Sequence, residues 1–355
     1  MKKVVLMLLV VAMIFVVAVA PGCKKTTPEQ PAEKKLKVTL YLNGTLGDKS
    51  FFDSAERGFK MAVQDLGVDG TTIEGGNDPS KWQPDLEQLS QGDSEIIIIG
   101  TWQMVDALAA IAPNYPNKKY IIFDSSVDYS KGNLGNVYSI LYKQNEGSFL
   151  VGALAAMVTS SSMPLANKEK VISFLGGMDI PVINDFKVGY IQGAHSIDPD
   201  VKVLVSYAGN FNDPAKGKEL VLAQYDQGTD IAFNVAATTG LGLLDAAKEK
   251  NKYAIGVDSD QYIMIKDKDP DKASHIVTSM MKNVDKSIYR ALKMYKEGTL
   301  QFGVAESLGL EEDGVGVADN DNYEKVVPKE FRDKVEELKT KIINGEIKVD
   351  TAFGS

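Results

Sequence analysis

One cysteine, two histidines and two tryptophans stand in a chain of 355 residues. A lone cysteine, Cys23, allows no intramolecular disulfide and no zinc ribbon. The two histidines, His195 and His275, are too few for a histidine-built metal centre, and no metal site is expected. Basic charge is also in short supply, with 39 Lys and Arg against 48 Asp and Glu and a formal net charge of −9. A nucleic-acid partner needs a basic surface to neutralise phosphates, so no nucleic-acid partner is expected. What is present is an ordinary globular composition, 25% charged and 44% hydrophobic, long enough for about two domains.

The N-terminus is set apart from the rest. Lys2 and Lys3 precede an unbroken apolar run over residues 4–20, followed by Pro21, Gly22 and Cys23. A basic start, an apolar stretch and small residues before the break mark a secretory signal, expected over residues 1–22. The placement of Cys23 resembles a bacterial lipoprotein signal, in which that cysteine is acylated and becomes the mature N-terminus. Ala20 replaces the usual leucine three residues earlier, and an uncleaved signal anchor is the alternative. Residues 24–35 (KKTTPEQPAEKK) are polar, carry two prolines and show no apolar periodicity, so residues 23–36 read as a flexible tether. Either signal leaves the body on the outer face of the cell membrane.

From Leu36 the pattern becomes one of short apolar strands alternating with amphipathic helices. Strands are expected at Val38–Leu42, Glu95–Gly100 and Lys119–Asp124, with a weak one at Thr71–Ile73. Helices are expected at Ser54–Leu66, Asp85–Gln91 and Val105–Ile111. The rhythm restarts with a helix over Gly147–Val158, then strands at Val171–Gly177, Val201–Val205, Ile231–Val235, Tyr253–Asp258 and His275–Ser279. Helices intervene at Asn184–His195, Pro214–Tyr225 and Leu241–Glu249. This is an α/β fold of two Rossmann-like lobes, each a parallel sheet covered on both faces. The first lobe is expected to comprise residues 37–146 and 282–303, the second residues 147–281 and 304–355.

In open parallel sheets ligands bind beyond the carboxyl ends of the strands. The strand ends here carry Asn43 with Asp48, Phe51 and Phe52 in the following loop, then Trp102, Asp124, Phe211 and Asp258. Aromatic rings can stack on a planar ligand, worth about 1–3 kcal/mol per base, and carboxylates accept hydrogen bonds from hydroxyl or amine donors. A carboxylate lining repels phosphates and suits an uncharged, polar, partly flat solute. Each residue also has a plainer role open to it. A strand-end aspartate can cap a helix, Phe51 can pack at a helix start and Trp102 can belong to the core.

Enzyme signatures are missing. Gly240-Leu241-Gly242 lacks the third glycine of a dinucleotide fingerprint, Gly217-Lys218 is followed by Glu219 rather than Ser or Thr, and no Gly-x-Ser-x-Gly elbow occurs. The acidic cluster Asp319–Asn322 lacks the glycine and distal glutamate of an EF-hand and reads as a solvated loop. No catalytic residue and no cofactor is expected.

Several segments in order carry a family resemblance. Leu46-Gly47-Asp48-Lys49-Ser50-Phe51, Gln144-Asn145-Glu146-Gly147-Ser148-Phe149, Phe211-Asn212-Asp213-Pro214, Gly256-Val257-Asp258-Ser259-Asp260 and Ser279-Met280-Met281-Lys282 together resemble the basic membrane protein family. These are lipoprotein substrate-binding subunits of ABC transporters, of the purine nucleoside receptor type. The resemblance implies a type I periplasmic binding protein fold with two α/β lobes joined by three crossovers. It implies a nucleoside-like ligand held between Phe51 and Phe211, with Asp124, Asp258 and Lys282 as the polar partners and Gly240 against the sugar. The implied partners are an ABC permease and, through the lipid anchor, the membrane. Asn43 stands where the family often has aspartate, and Phe52, Trp102 and Thr238-Thr239 also depart from its pattern. A sugar- or signal-binding lipoprotein of the same fold is the alternative function.

Overall fold

The computed structural model describes residues 35–354. The expected signal, Cys23 and most of the expected tether lie outside the described residues.

The chain builds two six-stranded sheets. The first half runs β1 (Lys37–Leu42), α1 (Phe51–Leu66), β2 (Asp69–Glu74), α2 (Pro79–Gln91), β3 (Ile96–Gly100), α3 (Val105–Ile111), β4 (Lys119–Phe123) and β5 (Val137–Tyr142). The interior strands are rich in β-branched and aromatic residues and are buried along nearly their whole length, β3 (IIIIG) completely. Strands covered on both faces gain from apolar residues on both sides, which is why period-two alternation is missing here. Helix α1 turns Ala55, Gly58, Phe59 and Ala62 inward and ends at Gly67, whose left-handed φ of 66° closes the last turn.

The chain then crosses at Lys143 into α4 (Gln144–Thr159), β6 (Val171–Gly176), α5 (Pro181–Ile197), β7 (Lys202–Tyr207), α6 (Pro214–Asp226), β8 (Thr229–Val235), α7 (Leu241–Lys250), β9 (Tyr253–Asp258), two short helices α8 (Gln261–Ile265) and α9 (Pro270–Ser274), and β10 (Ile276–Lys282). Helix α4 is apolar on nearly all sides and almost wholly buried. It touches α5 backbone to backbone: a Cβ at Gly152 would sit 2.0 Å from the Tyr190 carbonyl oxygen. After β10 the chain returns to the first lobe with α10 (Val284–Lys296), packed on α1, and β11 (Val304–Leu308), and crosses once more into β12 (Val315–Val317), α11 (Asp321–Val326) and α12 (Lys329–Ile343). Three crossovers therefore join the lobes.

The strand orders are β11-β5-β4-β3-β1-β2 and β12-β10-β9-β8-β6-β7. All neighbours are parallel except β10 and β12. In each sheet the order reverses direction once, between β1 and β3 in the first and between β6 and β8 in the second. At such a switch the following loops diverge and leave a crevice at the carboxyl edge. The type I periplasmic binding protein architecture expected from the sequence is the one observed.

Four details differ from the sequence expectations. Residues 304–308 were expected in the second lobe, but β11 pairs in parallel with β5 and completes the first sheet. Residues 144–146 form the first turn of α4 rather than the end of the first lobe. Lys282, expected to open the return to the first lobe, closes strand β10 of the second sheet, opposite Val315 of β12. The acidic segment near 320 is not a bare loop: the Asn320 side chain accepts from the amides of Asn322 and Tyr323 and starts α11.

Candidate functional site

The loops at the two switch points face each other and enclose a cavity of about 270 Å³. Nine residues singled out in the sequence line it: Asn43, Asp48, Phe51, Phe52, Trp102, Asp124, Phe211, Asp258 and Lys282. The first six come from the first lobe and the last three from the second.

Backbone geometry at the strand ends is unusual. Thr101 (φ 72°) follows β3, Asp124 (62°) follows β4, Ala237 (46°) follows β8 and Asp258 (63°) closes β9. All four line the cavity. Non-glycine residues adopt this region at a cost of about 1–3 kcal/mol, and such strain collects where the surroundings must aim a side chain.

The aromatic walls are built in different ways. The Phe51 ring lies 5.3 Å from Phe52 and 5.4 Å from Phe123, both packing contacts within the first lobe. Phe211 sits in the loop between β7 and α6, with its ring over Gly177, where a Cβ would come within 2.2 Å of its Cε1. The missing side chain at position 177 is what admits the ring. Trp102 is 46% exposed at the rim and belongs to no core.

The polar end holds three carboxylates and one ammonium. Lys282 is 2% exposed, ion-pairs with Asp124 and lies 5.5, 5.3 and 4.9 Å from the ring centres of Phe51, Tyr142 and Phe186. Burial pushes the Asp124 carboxyl up, against the pull of the Lys282 ammonium. Burial raises Asp258 to about 7; Lys282 and the Ser50 hydroxyl oppose the rise, while Asp124 and Asp48 add to it. Burial also raises Asp48, which accepts hydrogen bonds from the amides of Phe52 (2.9 Å), Ser50 (3.0 Å) and Asp53 (3.2 Å). Asp48 thus fills the capping role open to any aspartate at a helix start, while also contributing to the cavity wall.

On the first-lobe wall Asn43 Nδ2 donates to Thr101 Oγ1 (2.8 Å) and Gln103 Oε1 (3.3 Å), and Asn43 Oδ1 is buried without a partner. The cavity therefore pairs aromatic walls with hydrogen-bonding groups from both lobes, the chemistry of a flat polar solute.

Gly240 is not among the residues that line the cavity. It precedes α7 and is buried away from the cavity, with the Asn234 carboxamide over it; a Cβ there would lie 1.7 Å from Asn234 Oδ1. The wall after β8 is made by Ala236, Ala237 and Thr238 instead. Sequence reasoning also passed over Trp82, Gln103, Met178 and Phe186, which line the cavity. Gln103 and Met178 follow strands and were within reach of the strand-end rule. Trp82 and Phe186 lie inside α2 and α5 and carry no such signal. Among the described residues no group of His, Cys, Asp and Glu is arranged to hold a metal ion.

Residues 35–352 match the family model Bmp, described as ABC transporter substrate-binding protein PnrA-like. The chain is 32% identical over 315 residues to Basic membrane protein A2 of Borrelia garinii subsp. bavariensis, covering 88% of this chain and 87% of that protein. It is 30% identical over 352 residues to the ABC transporter nucleoside-binding protein BmpA of Lactococcus lactis subsp. cremoris, covering 94% of this chain and 95% of the relative. A crystal structure of an ABC transporter solute-binding protein from Aeropyrum pernix K1 superposes with a TM-score of 0.79 at 29% identity, covering 89% of this chain and 93% of that one. The chain belongs to the Bmp family of PnrA-like ABC transporter substrate-binding proteins.

Proposed function

We propose that this substrate-binding protein takes up a nucleoside, with a purine base, outside the cytoplasmic membrane and delivers it unchanged to an ABC permease. The observation that carries the reading is the placement of Phe51 and Phe211, one from each lobe, on the walls of one cavity whose polar end holds Asp124, Asp258 and Lys282. Two rings can hold a base from opposite sides, while carboxylates accept from ribose hydroxyls and the ammonium donates to their oxygens. Three carboxylates against one ammonium disfavour a phosphate, so a nucleoside suits the site better than a nucleotide. Asn43, Phe52 and Trp102 are the further first-lobe lining groups that this reading leaves for the base, and Asp48 fixes the start of α1. The nucleoside-binding relative from Lactococcus supports the same ligand class.

Cys23 following an apolar run supports a lipid anchor that tethers the body to the outer face of the cell membrane. Closure of the two lobes buries the base and orders the hydroxyl contacts together.

Calorimetric titration with inosine and adenosine tests the site. Phe211→Ala and Asp258→Ala are each expected to weaken binding at least tenfold, about 1.4 kcal/mol. Unchanged titrations in both variants would remove the site, and tight binding of pentoses in place of nucleosides would favour a sugar receptor.

A further inference from the structure

Ser50 is fully buried at the start of α1, in the first lobe, and its hydroxyl reaches into the second. Two acceptors stand in range, Asp258 Oδ2 and, at 3.4 Å, the Val257 carbonyl. A hydroxyl has one proton to give, and the closer, charge-bearing oxygen takes it. The exchange is returned: Ser259 Oγ donates to the Ser50 carbonyl at 2.9 Å. Gln261 Nε2 donates to the Lys49 carbonyl at 3.2 Å, and Arg57 Nη2 to Ser259 Oγ at 3.4 Å. Each of these bonds joins α1 or the segment leading into it with the stretch from the end of β9 to the start of α8.

The first-lobe side of this contact is rigid. Asp48 ties down the amides of Ser50, Phe52 and Asp53, and Lys49 is held at a left-handed φ of 54°. A lysine stays there only where its neighbours over-determine it. On the second-lobe side Asp258 is also left-handed, so its carboxylate is aimed by the backbone and then fixed by Ser50.

We propose that Ser50 is a positioning residue that couples lobe closure to the orientation of the Asp258 carboxylate. Ser50 engages Oδ2, and Oδ1 is left for a hydroxyl donor of the solute. This inference rests on the reading of Asp258 as a ligand-binding carboxylate. When the lobes part, the Ser50 donor leaves with the first lobe and the carboxylate loses its fixed aim. A solute that bridges both lobes therefore finds a sharper acceptor than one that meets the second lobe alone.

Two measurements on the full mature chain test this. Spin labels at Lys81→Cys and Ala215→Cys, in a Cys23→Ser background, report the distance between the lobes without ligand. Ser50→Ala is expected to shift that distribution to longer distances. Stopped-flow tryptophan fluorescence with inosine, followed through Trp82 and Trp102 at the cavity, is expected to show dissociation about fivefold faster in Ser50→Ala with association little changed. Ser259→Ala, which removes the returned bond and the Arg57 contact but leaves the bond from Ser50 to Asp258, should move both readings the same way by less. Lobe distances and dissociation rates equal to wild type in both variants would overturn the proposal. If wild type ignores nucleosides while Ser50→Ala still opens the lobes, the nucleoside reading falls and the coupling of Ser50 to closure stands.

Discussion

Lys282, the last residue of β10 in the second sheet, ion-pairs with Asp124, the residue that follows β4 in the first. The pair spans the lobes, and the lysine side chain is 2% exposed. Removing an ammonium from water costs several kcal/mol, and one carboxylate offsets only part of that. The rings of Phe51, Tyr142 and Phe186, with centres 4.9–5.5 Å from Nζ, supply further attraction through their negative faces. The same cation therefore holds the lobes together and keeps the neighbouring carboxylates ionisable.

Replacing Lys282 with methionine keeps the chain length and removes the charge. Asp124 and Asp258 then lose the cation that lowers both of their pKa values. At pH 8 they are left buried and unpaired, at a cost of about 3–5 kcal/mol. At pH 5 they escape by taking up protons, and most of the loss disappears. Urea denaturation of Lys282→Met against wild type at the two pH values measures the difference. An equal loss at both would mean that the lysine acts by packing alone.

Asp258 sets a second pH dependence. It ionises near pH 7 in the folded protein, against an ordinary value of 3.8. Between those values the folded state holds a proton that the unfolded chain has released, so stability falls as the pH rises through this window and levels off above 7. Asp124 and Asp48 are raised as well and face the same cavity with Lys282, so Asp258→Asn serves to isolate this group. The melting temperature of the variant should decline less than that of wild type between pH 5 and 7.5. If a ribose hydroxyl donates to the ionised carboxylate, binding releases protons at pH 6.5 and none at pH 9. Inosine calorimetry in two buffers of different ionisation heat reads this directly. Proton release at pH 6.5 that is the same in Asp258→Asn would contradict it.

Much of this was legible in the sequence, for physical reasons that also mark where legibility stopped. Strands such as Ile96–Gly100 and Tyr253–Asp258 announce themselves because they are buried on both faces and need apolar residues throughout. The strand-end rule then pointed to eight of the residues that line the cavity, since a parallel sheet presents its carboxyl edge to the ligand side, and the family resemblance added Lys282. Strand β11 escaped notice because it is a sheet edge, exposed along most of VAESL, and its partner β5, with Tyr138 opposite Val304, lies far back in the chain. The surroundings of Gly240 were not legible, because a resemblance carries position along the chain but not the fate of a neighbour, here Asn234, whose carboxamide fills the space over that glycine. The cross-lobe partners of Ser50 belong to tertiary contact and leave no local signal.

Gly177 and Gly240 make a paired test of how the walls are built. Neither has a left-handed φ, so alanine is tolerated by the backbone at both and only space decides the outcome. At Gly177 the new methyl meets the Phe211 ring, at 2.2 Å from Cε1 and 2.3 Å from Cδ1, and that ring is a side chain at the edge of a half-buried loop. It can swing away, so Gly177→Ala should leave stability within about 1 kcal/mol of wild type yet weaken inosine binding several-fold, because the displaced ring no longer lies flat against the base. At Gly240 the methyl meets Asn234, which is fully buried, donates from Nδ2 to Gln261 Oε1 at 3.2 Å and accepts at Oδ1 from the Ala236 amide at 3.1 Å. That carboxamide cannot move without breaking bonds, so Gly240→Ala should lower stability by about 1–3 kcal/mol. Thermal melts and inosine titrations of the two variants separate a wall that the ligand touches from one that only the fold requires. A Gly177→Ala protein that binds as wild type does would place the Phe211 ring outside the site.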